Sequence, residues 1–347
     1  MFNLQKFSEI LRDDREHIRR IKKYYKTNHD SSDEPLLMEE QRLCLYPIKH
    51  HDIWKLYKEQ ESSFWTREEV VLSKDYIDFK QLDKQTQYFI KYILAFFATS
   101  DGSVFLNLMD NFSKEVKILE AQICYQYQGA IEAIHSEMYS ELIECLIKDE
   151  KEKQELFDAI ETIPCIKRKT EWAQTWASSK TKFAQRLVAF AIVEGIFFSG
   201  SFCAIYWLKQ KNIMPGLIQS NELIARDENS HTKFACLLYS KIINRLSEDV
   251  VHSMISDAVR IEKEFIIESL PCKLIGMNSD LMGKYIEFIA DKLAVDLGYS
   301  KIYNSSNPFD FMENINIAVK GNFFESRITS YQKPDLTNTS AEISEDF

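Results

Sequence analysis

Two four-residue units constrain this chain more than anything else in it. They are Glu132-Ala-Ile-His135 and Glu228-Asn-Ser-His231, each on a stretch that reads as a long helix. A Glu and a His three positions apart on a helix point the same way. Two such pairs, joined by one carboxylate from each of two further helices, make the ligand set with which a four-helix bundle holds two metal ions in its core. The chain offers those two acids. Asp101 lies between Ile93-Leu-Ala-Phe-Phe-Ala98 and Val104-Phe-Leu106, and Glu194 interrupts Leu187-Val-Ala-Phe-Ala-Ile-Val193 and Ile196-Phe-Phe198. A carboxylate inside such a run is expected to be buried, and a buried charge must be paired or bind a cation. No Lys or Arg stands one turn from Glu194. One Glu-x-x-His by itself is more often a surface pair. The other five of the seven histidines (His17, His29, His50, His51 and His252) lack a Glu three residues before them.

Charge supports the metal reading. Four carboxylates and two neutral imidazoles balance two divalent cations. Oxygen-rich ligation with one nitrogen per metal suits iron, with manganese as the alternative, better than zinc, whose closed sites are rich in Cys and His. No cysteine is near these residues, and the seven cysteines form no Cys-x-x-Cys, a pattern that fits a reduced cytoplasmic protein.

Composition sets the frame. The chain has 347 residues, 45% of them apolar, with nine glycines, seven prolines and no proline from Ile48 to Ile163, which favours long helices over strands and turns. A net charge of −10 argues against wholesale binding to nucleic acid. Leu187 to Leu208 is apolar enough to cross a membrane, yet it carries Glu194 at its centre. A central acid is unfavourable in a lipid-facing helix by roughly 3 kcal/mol, so no membrane partner is expected and the buried centre of a bundle is.

The expected fold is all-α, a ferritin-like four-helix bundle core with additional helices. Residues 1–42 read as a charged N-terminal helix and linker, 43–325 as the di-metal domain, and 326–347 as a flexible C-terminal tail. Thr66 and Glu69 form a capping box that opens a helix. The bundle helices are expected over about 84–111, 113–147, 180–211 and 217–246. Short joints make the first and second antiparallel, and likewise the third and fourth, while the long link between the second and third allows a crossover. That arrangement puts Tyr139, one turn beyond His135, on the same side of the metals as Phe198, Phe202 and Ile224. A core tyrosine hydrogen-bonded to a ligand would show the same spacing.

These segments have a recognisable likeness. The stretch Glu132-Ala-Ile-His-Ser-Glu-Met-Tyr-Ser140 resembles the radical-bearing segment of the small subunit of class I ribonucleotide reductase in its eukaryotic form. So do Phe64-Trp-Thr66, Leu94–Gly102, Val193–Phe202, Met214-Pro-Gly216, Asn221–Glu228 and Asn307–Asn314. The resemblance runs from about Leu43 to Tyr331. It implies a di-iron centre on Asp101, Glu132, His135, Glu194, Glu228 and His231, which reacts with O₂ and oxidises Tyr139 to a stable radical. It implies transfer residues at Trp65, Asp227 and Tyr331, with Asp227 linking His135 to Trp65. From Trp65 alone the sequence suggests a core tryptophan. The family docks its C-terminus into a large subunit that reduces ribonucleotides, so Ile343 and Phe347 are expected anchors, although the residues before the acidic-Phe ending differ from the usual eukaryotic tail. The small subunits are expected to pair as a homodimer or heterodimer. Two competing readings are a metal-free structural paralogue and another di-iron oxidase on the same bundle.

Overall fold

Apolar runs long enough to need cover on every side become the inner helices. The computed structural model describes residues 34–38, 42–107, 112–158, 164–177, 181–269 and 272–312, apart from the side chains of 101–107, 177, 268, 269 and 274. The expected N-terminal helix, the tail 326–347, Tyr331 and the side chain of Asp101 lie outside the described residues.

Every regular element described is helical: α1 (His51–Ser62), α2 (Asp75–Gln81), α3 (Lys84–Asn107), α4 (Leu119–Leu146), α5 (Glu150–Phe157), α6 (Pro164–Ala177), α7 (Phe183–Lys209), α8 (Pro215–Ser240), α9 (Glu248–Lys263) and α10 (Ser279–Asp296). The bundle pairs α3 with α4 and α7 with α8; α4 and α8 also touch. Phe96 and Phe97 of α3 meet Phe198 of α7 at ring-centroid distances of 5.5 and 5.9 Å, closing the fourth side. Each such buried ring stabilises the packing by about 1.5–3 kcal/mol. The membrane-length segment is α7, and 89% of its most apolar window is buried inside the protein, as a bundle core requires.

The helix limits differ from the sequence expectations in three places, each for a local reason. The second bundle helix starts at Leu119 instead of 113, because the backbone at Val116 and Ile118 is extended and Lys117 N–H donates to Leu36 O at 2.8 Å. Glu120 then accepts from Lys49 N–H at 2.8 Å and from Arg42 Nη2 at 2.5 Å, pinning the helix start to the preceding chain. The fourth ends at Ser240 instead of 246, where the chain folds back and Leu246 N–H donates to Tyr239 Oη at 3.1 Å. The capping box is present, with Thr66 N–H donating to Glu69 Oε1 at 3.0 Å, but it closes a three-residue 3₁₀ turn (Arg67–Glu69) and no longer helix.

One further feature sets the site. α8 begins at Met214 in the left-handed region (φ 52°) with Pro215 as its first residue. Its free N–H groups find partners on α2: Asp75 accepts from Gly216 at 3.0 Å and Leu217 at 2.7 Å, and Asp78 accepts from Met214 at 2.8 Å. A Cβ on Gly216 would stand 2.7 Å from Val71 O, so only glycine admits this approach. The clamp fixes the register of α8, and with it the direction of every side chain further along.

Candidate metal centre

Three helices aim acids or imidazoles at one buried spot. Glu132 and His135 come from α4, Glu228 and His231 from α8, and Glu194 from α7. Ligand atoms of Glu132, Glu194, Glu228 and His231 all lie within 4.8 Å of one another, and all four residues are buried. Asp101 lies on α3, the fourth helix of the bundle.

Glu194 reaches the cluster from a break in α7. Residues Val193–Phe197 form a π turn, in which one extra residue widens the helix. Nothing in the alternation of polar and apolar residues signals that turn.

The imidazoles show what the cluster can hold. His231 Nδ1 lies 3.0 Å from Glu132 Oε1 and 3.0 Å from Glu228 Oε2. His135 Nδ1 lies 3.1 Å from Glu228 Oε1 and 3.4 Å from Glu132 Oε2. A nitrogen lone pair facing carboxylate oxygens at these distances is repulsive, so a proton or a metal cation must lie between them. Protons and cations therefore compete for these atoms. Burial disfavours a charged His231, but the Glu228 charge and hydrogen bonds to Glu132 and Glu228 overcome it and raise its pKa to about 9. His135 is likewise pushed well up against burial by Asp227, Glu132 and Glu228. The Glu228 carboxyl is held well below its usual range, against burial, by hydrogen bonding to Glu194 and by the His231 and His135 imidazoles.

Behind His135 runs a second set of contacts. Its Nε2 lies 3.3 Å from Asp227 Oδ2, and the same oxygen accepts from Trp65 Nε1 at 2.7 Å. Trp65 is buried (2% exposed) and its ring lies nearly parallel to His135, centroids 6.1 Å apart. Arg226, from the same turn, holds the other carboxylate oxygen at 3.2 Å and anchors itself on Ser63 O at 2.6 Å. The family resemblance implies roles for Asp227 and Trp65 and none for Arg226, although it stands beside Asp227.

Tyr139 is buried one turn beyond His135. Its ring stacks on Phe97 (centroids 4.6 Å apart, 14° between planes), and Phe97 stacks in turn on Phe202 at 5.2 Å and Phe198 at 5.9 Å. Ile224 is fully buried. Phe97, the ring in direct contact, was missed by sequence reasoning. Its signal was its place one turn before Asp101, inside a run read only as evidence of burial.

The model of the family "Ribonucleotide reductase, small chain" matches residues 42–308. A ribonucleoside-diphosphate reductase small chain from Neurospora crassa is 55% identical over 320 residues, 91% of this chain and 78% of that protein. Ribonucleoside-diphosphate reductase subunit M2 from Mesocricetus auratus is 53% identical over 323 residues, 92% of this chain and 84% of the relative. Among solved structures, the ribonucleotide reductase Rnr4 homodimer from Saccharomyces cerevisiae aligns with a TM-score of 0.76 at 37% identity, covering 94% of this chain and 99% of that one. The fold and the buried acid–imidazole cluster are those of a carboxylate-bearing helical bundle, and the relatives at 53–55% identity are reductase subunits. The chain belongs to the ribonucleotide reductase small-chain family.

Proposed function

We propose that this chain generates and stores the radical with which a ribonucleoside-diphosphate reductase reduces ribonucleotides to deoxyribonucleotides. The observation that carries the reading is the convergence of Glu132, Glu194, Glu228 and His231 on one buried spot, with Tyr139 on one side and the His135–Asp227–Trp65 contacts on another.

The residues fit a pair of metal ions. Asp101, Glu132, His135, Glu194, Glu228 and His231 would hold them, and the carboxylates would neutralise two divalent charges. The oxygen-rich set favours iron, with manganese as the alternative. When bound, such a pair supplies the oxidising power to remove an electron from a nearby phenol at the expense of O₂.

The protein's own part is to place the phenol and protect it. Tyr139 would give up one electron and its hydroxyl proton, O₂ being the oxidant that takes up both, and so become a neutral radical. Phe97, Phe198 and Phe202 exclude water and reductants from its side of the bundle. Asp227 fixes the Nε2 edge of His135, leaving Nδ1 to face the carboxylates. Through the same oxygen it connects that imidazole to Trp65, the side chain proposed to exchange the electron, with Tyr331, toward a large subunit. The C-terminal tail is the proposed docking segment for that subunit, and small subunits are proposed to pair as homodimers or heterodimers.

The test is electron paramagnetic resonance of iron-loaded protein after exposure to O₂. A tyrosyl signal that disappears in Tyr139→Phe supports the reading. A signal that persists in this variant moves the radical to another tyrosine. No signal at all, with full metal content, favours another oxidase on the bundle, and no metal uptake favours a structural paralogue.

A further inference from the structure

Away from the metal centre, a second buried charge pair grips the same broken helix. Lys169 of α6 and Glu262 of α9 are 2% and 0% exposed and form an ion pair. Lys169 Nζ donates to Phe197 O, the last carbonyl of the π turn, at 2.7 Å. It sits between two rings, 3.9 Å from the centroid of Phe96 and 3.8 Å from that of Phe265. Glu262 Oε1 accepts from Gly200 N–H at 3.1 Å. Ile196 O, four residues before Gly200, accepts from Ser199 Oγ at 2.7 Å. A Cβ on Gly200 would lie 2.5 Å from Glu262 Oε1, so the carboxylate reaches this backbone only because residue 200 is glycine. The pair thus supplies a donor and an acceptor to the backbone where the π turn rejoins ordinary helix.

Stability alone is a weak reason to bury such a pair. Taking two charges out of water costs several kcal/mol per ion, and apolar replacements of similar volume are often neutral or better. Burial pushes the Lys169 ammonium down and the Glu262 carboxyl up, each against the charge its partner needs. What the pair gives that apolar side chains cannot is directional bonding to two backbone groups, one at the end of the π turn and one just beyond it. Glu194 is the acid that this turn delivers.

We propose that Lys169 and Glu262 are positioning residues that hold the Val193–Phe197 turn in register and so aim the Glu194 carboxylate at the metal centre. The inference rests on reading Glu194 as a metal ligand.

The experiment uses the full chain stripped of metal and titrated with Mn(II), read by calorimetry and by the Mn(II) paramagnetic resonance spectrum. Lys169→Met/Glu262→Leu removes both backbone bonds and both charges. It should stay folded with a thermal midpoint close to the parent's, yet bind Mn(II) about 10- to 100-fold more weakly, with an altered spectrum. Lys169→Met/Glu262→Gln returns an acceptor to Gly200 N–H and should recover part of the affinity. Parent-like affinity and spectrum in the folded Met/Leu variant would overturn the proposal. So would an equal loss in Ile255→Ala, a core change on α9 away from the clamp. If the Met/Leu variant does not fold, Lys169→Met/Glu262→Gln, which still lacks the donor to Phe197 O, is judged by the same two readouts. A parent protein that binds no Mn(II) refutes the metal reading itself, a result distinct from failure of the clamp.

Discussion

Changing the pH should change metal affinity in a way set by the two imidazoles. The His231 pKa is raised from 6.5 to about 9. A metal ion binds the neutral ring, so it must displace a proton that at pH 7 is present on about 99 of 100 molecules. Apparent affinity at pH 7 should lie about 100-fold below its limiting value, near 3 kcal/mol. It should rise about tenfold per pH unit from 7 toward 9 and level off above. His135 is raised as well, so the slope is at least one proton per unit. Glu228, held well below 4.5, carries no proton of its own in this range and adds nothing. Stability of the metal-free protein should run the other way. A folded pKa above the unfolded one contributes stability that is complete below about 6.5 and lost as pH climbs through about 9. Heating scans should therefore show the metal-free protein weakening from pH 7 to 9 while the advantage conferred by metal grows. Calorimetry with Mn(II) in two buffers of different ionisation enthalpy measures the protons released. A flat affinity between pH 6.5 and 8.5, or no proton release, would refute the placement of protons and cations on the same atoms.

Three further outcomes are expected of the proposed function. Glu228→Ala removes the carboxylate that faces both imidazoles, so metal analysis should show loss of at least one ion per chain; unchanged loading would refute its role. Asp227→Ala takes the acceptor from Trp65 Nε1 and a partner from Arg226, destabilising the fold by about 2–3 kcal/mol in urea titrations; the Tyr139 radical should still form, but ribonucleotide reduction with the large subunit should fall at least tenfold. Deleting residues 341–347 removes Ile343 and Phe347, each able to contribute roughly 1.5–3 kcal/mol on burial before ordering costs; the radical spectrum should be normal while reduction at low large-subunit concentration is lost, and full activity there would show that docking lies elsewhere.

How much of this the sequence discloses depends on the kind of order involved. Glu132/His135 and Glu228/His231 are legible because a side chain's direction repeats every 3.6 residues, so spacing alone puts each pair on one face. Glu194 is legible as an acid with no nearby cation in an apolar run. The π turn that carries it is not, because an extra residue in a helix changes backbone hydrogen bonds and leaves polarity untouched. Phe97 is hidden because all the rings in an apolar run look alike until the packing partner is known. Lys169 is hidden for the opposite reason. Nothing in Lys167-Arg-Lys169 marks it as interior, yet Arg168 and Lys169 are both buried, each against an acid from the α9 region.

The placement of Asp227 beside Glu228 ties the proposed metal site to the proposed transfer contact. Consecutive residues on a helix point about 100° apart, so one turn of α8 sends Glu228 toward the imidazole nitrogens and Asp227 toward Trp65. Neither direction can be adjusted without the other, because both follow the register that Asp75 and Asp78 impose at the start of the helix. His135 completes the link: one nitrogen faces the carboxylates and the other faces Asp227. A cation replacing the proton at Nδ1 leaves the single imidazole proton on Nε2, where it can only be donated to Asp227. The bond between His135 and Asp227 therefore keeps one polarity whether a proton or a cation stands at Nδ1: Nε2–H donates and the carboxylate accepts, so the contact to Trp65 is in place before any metal enters.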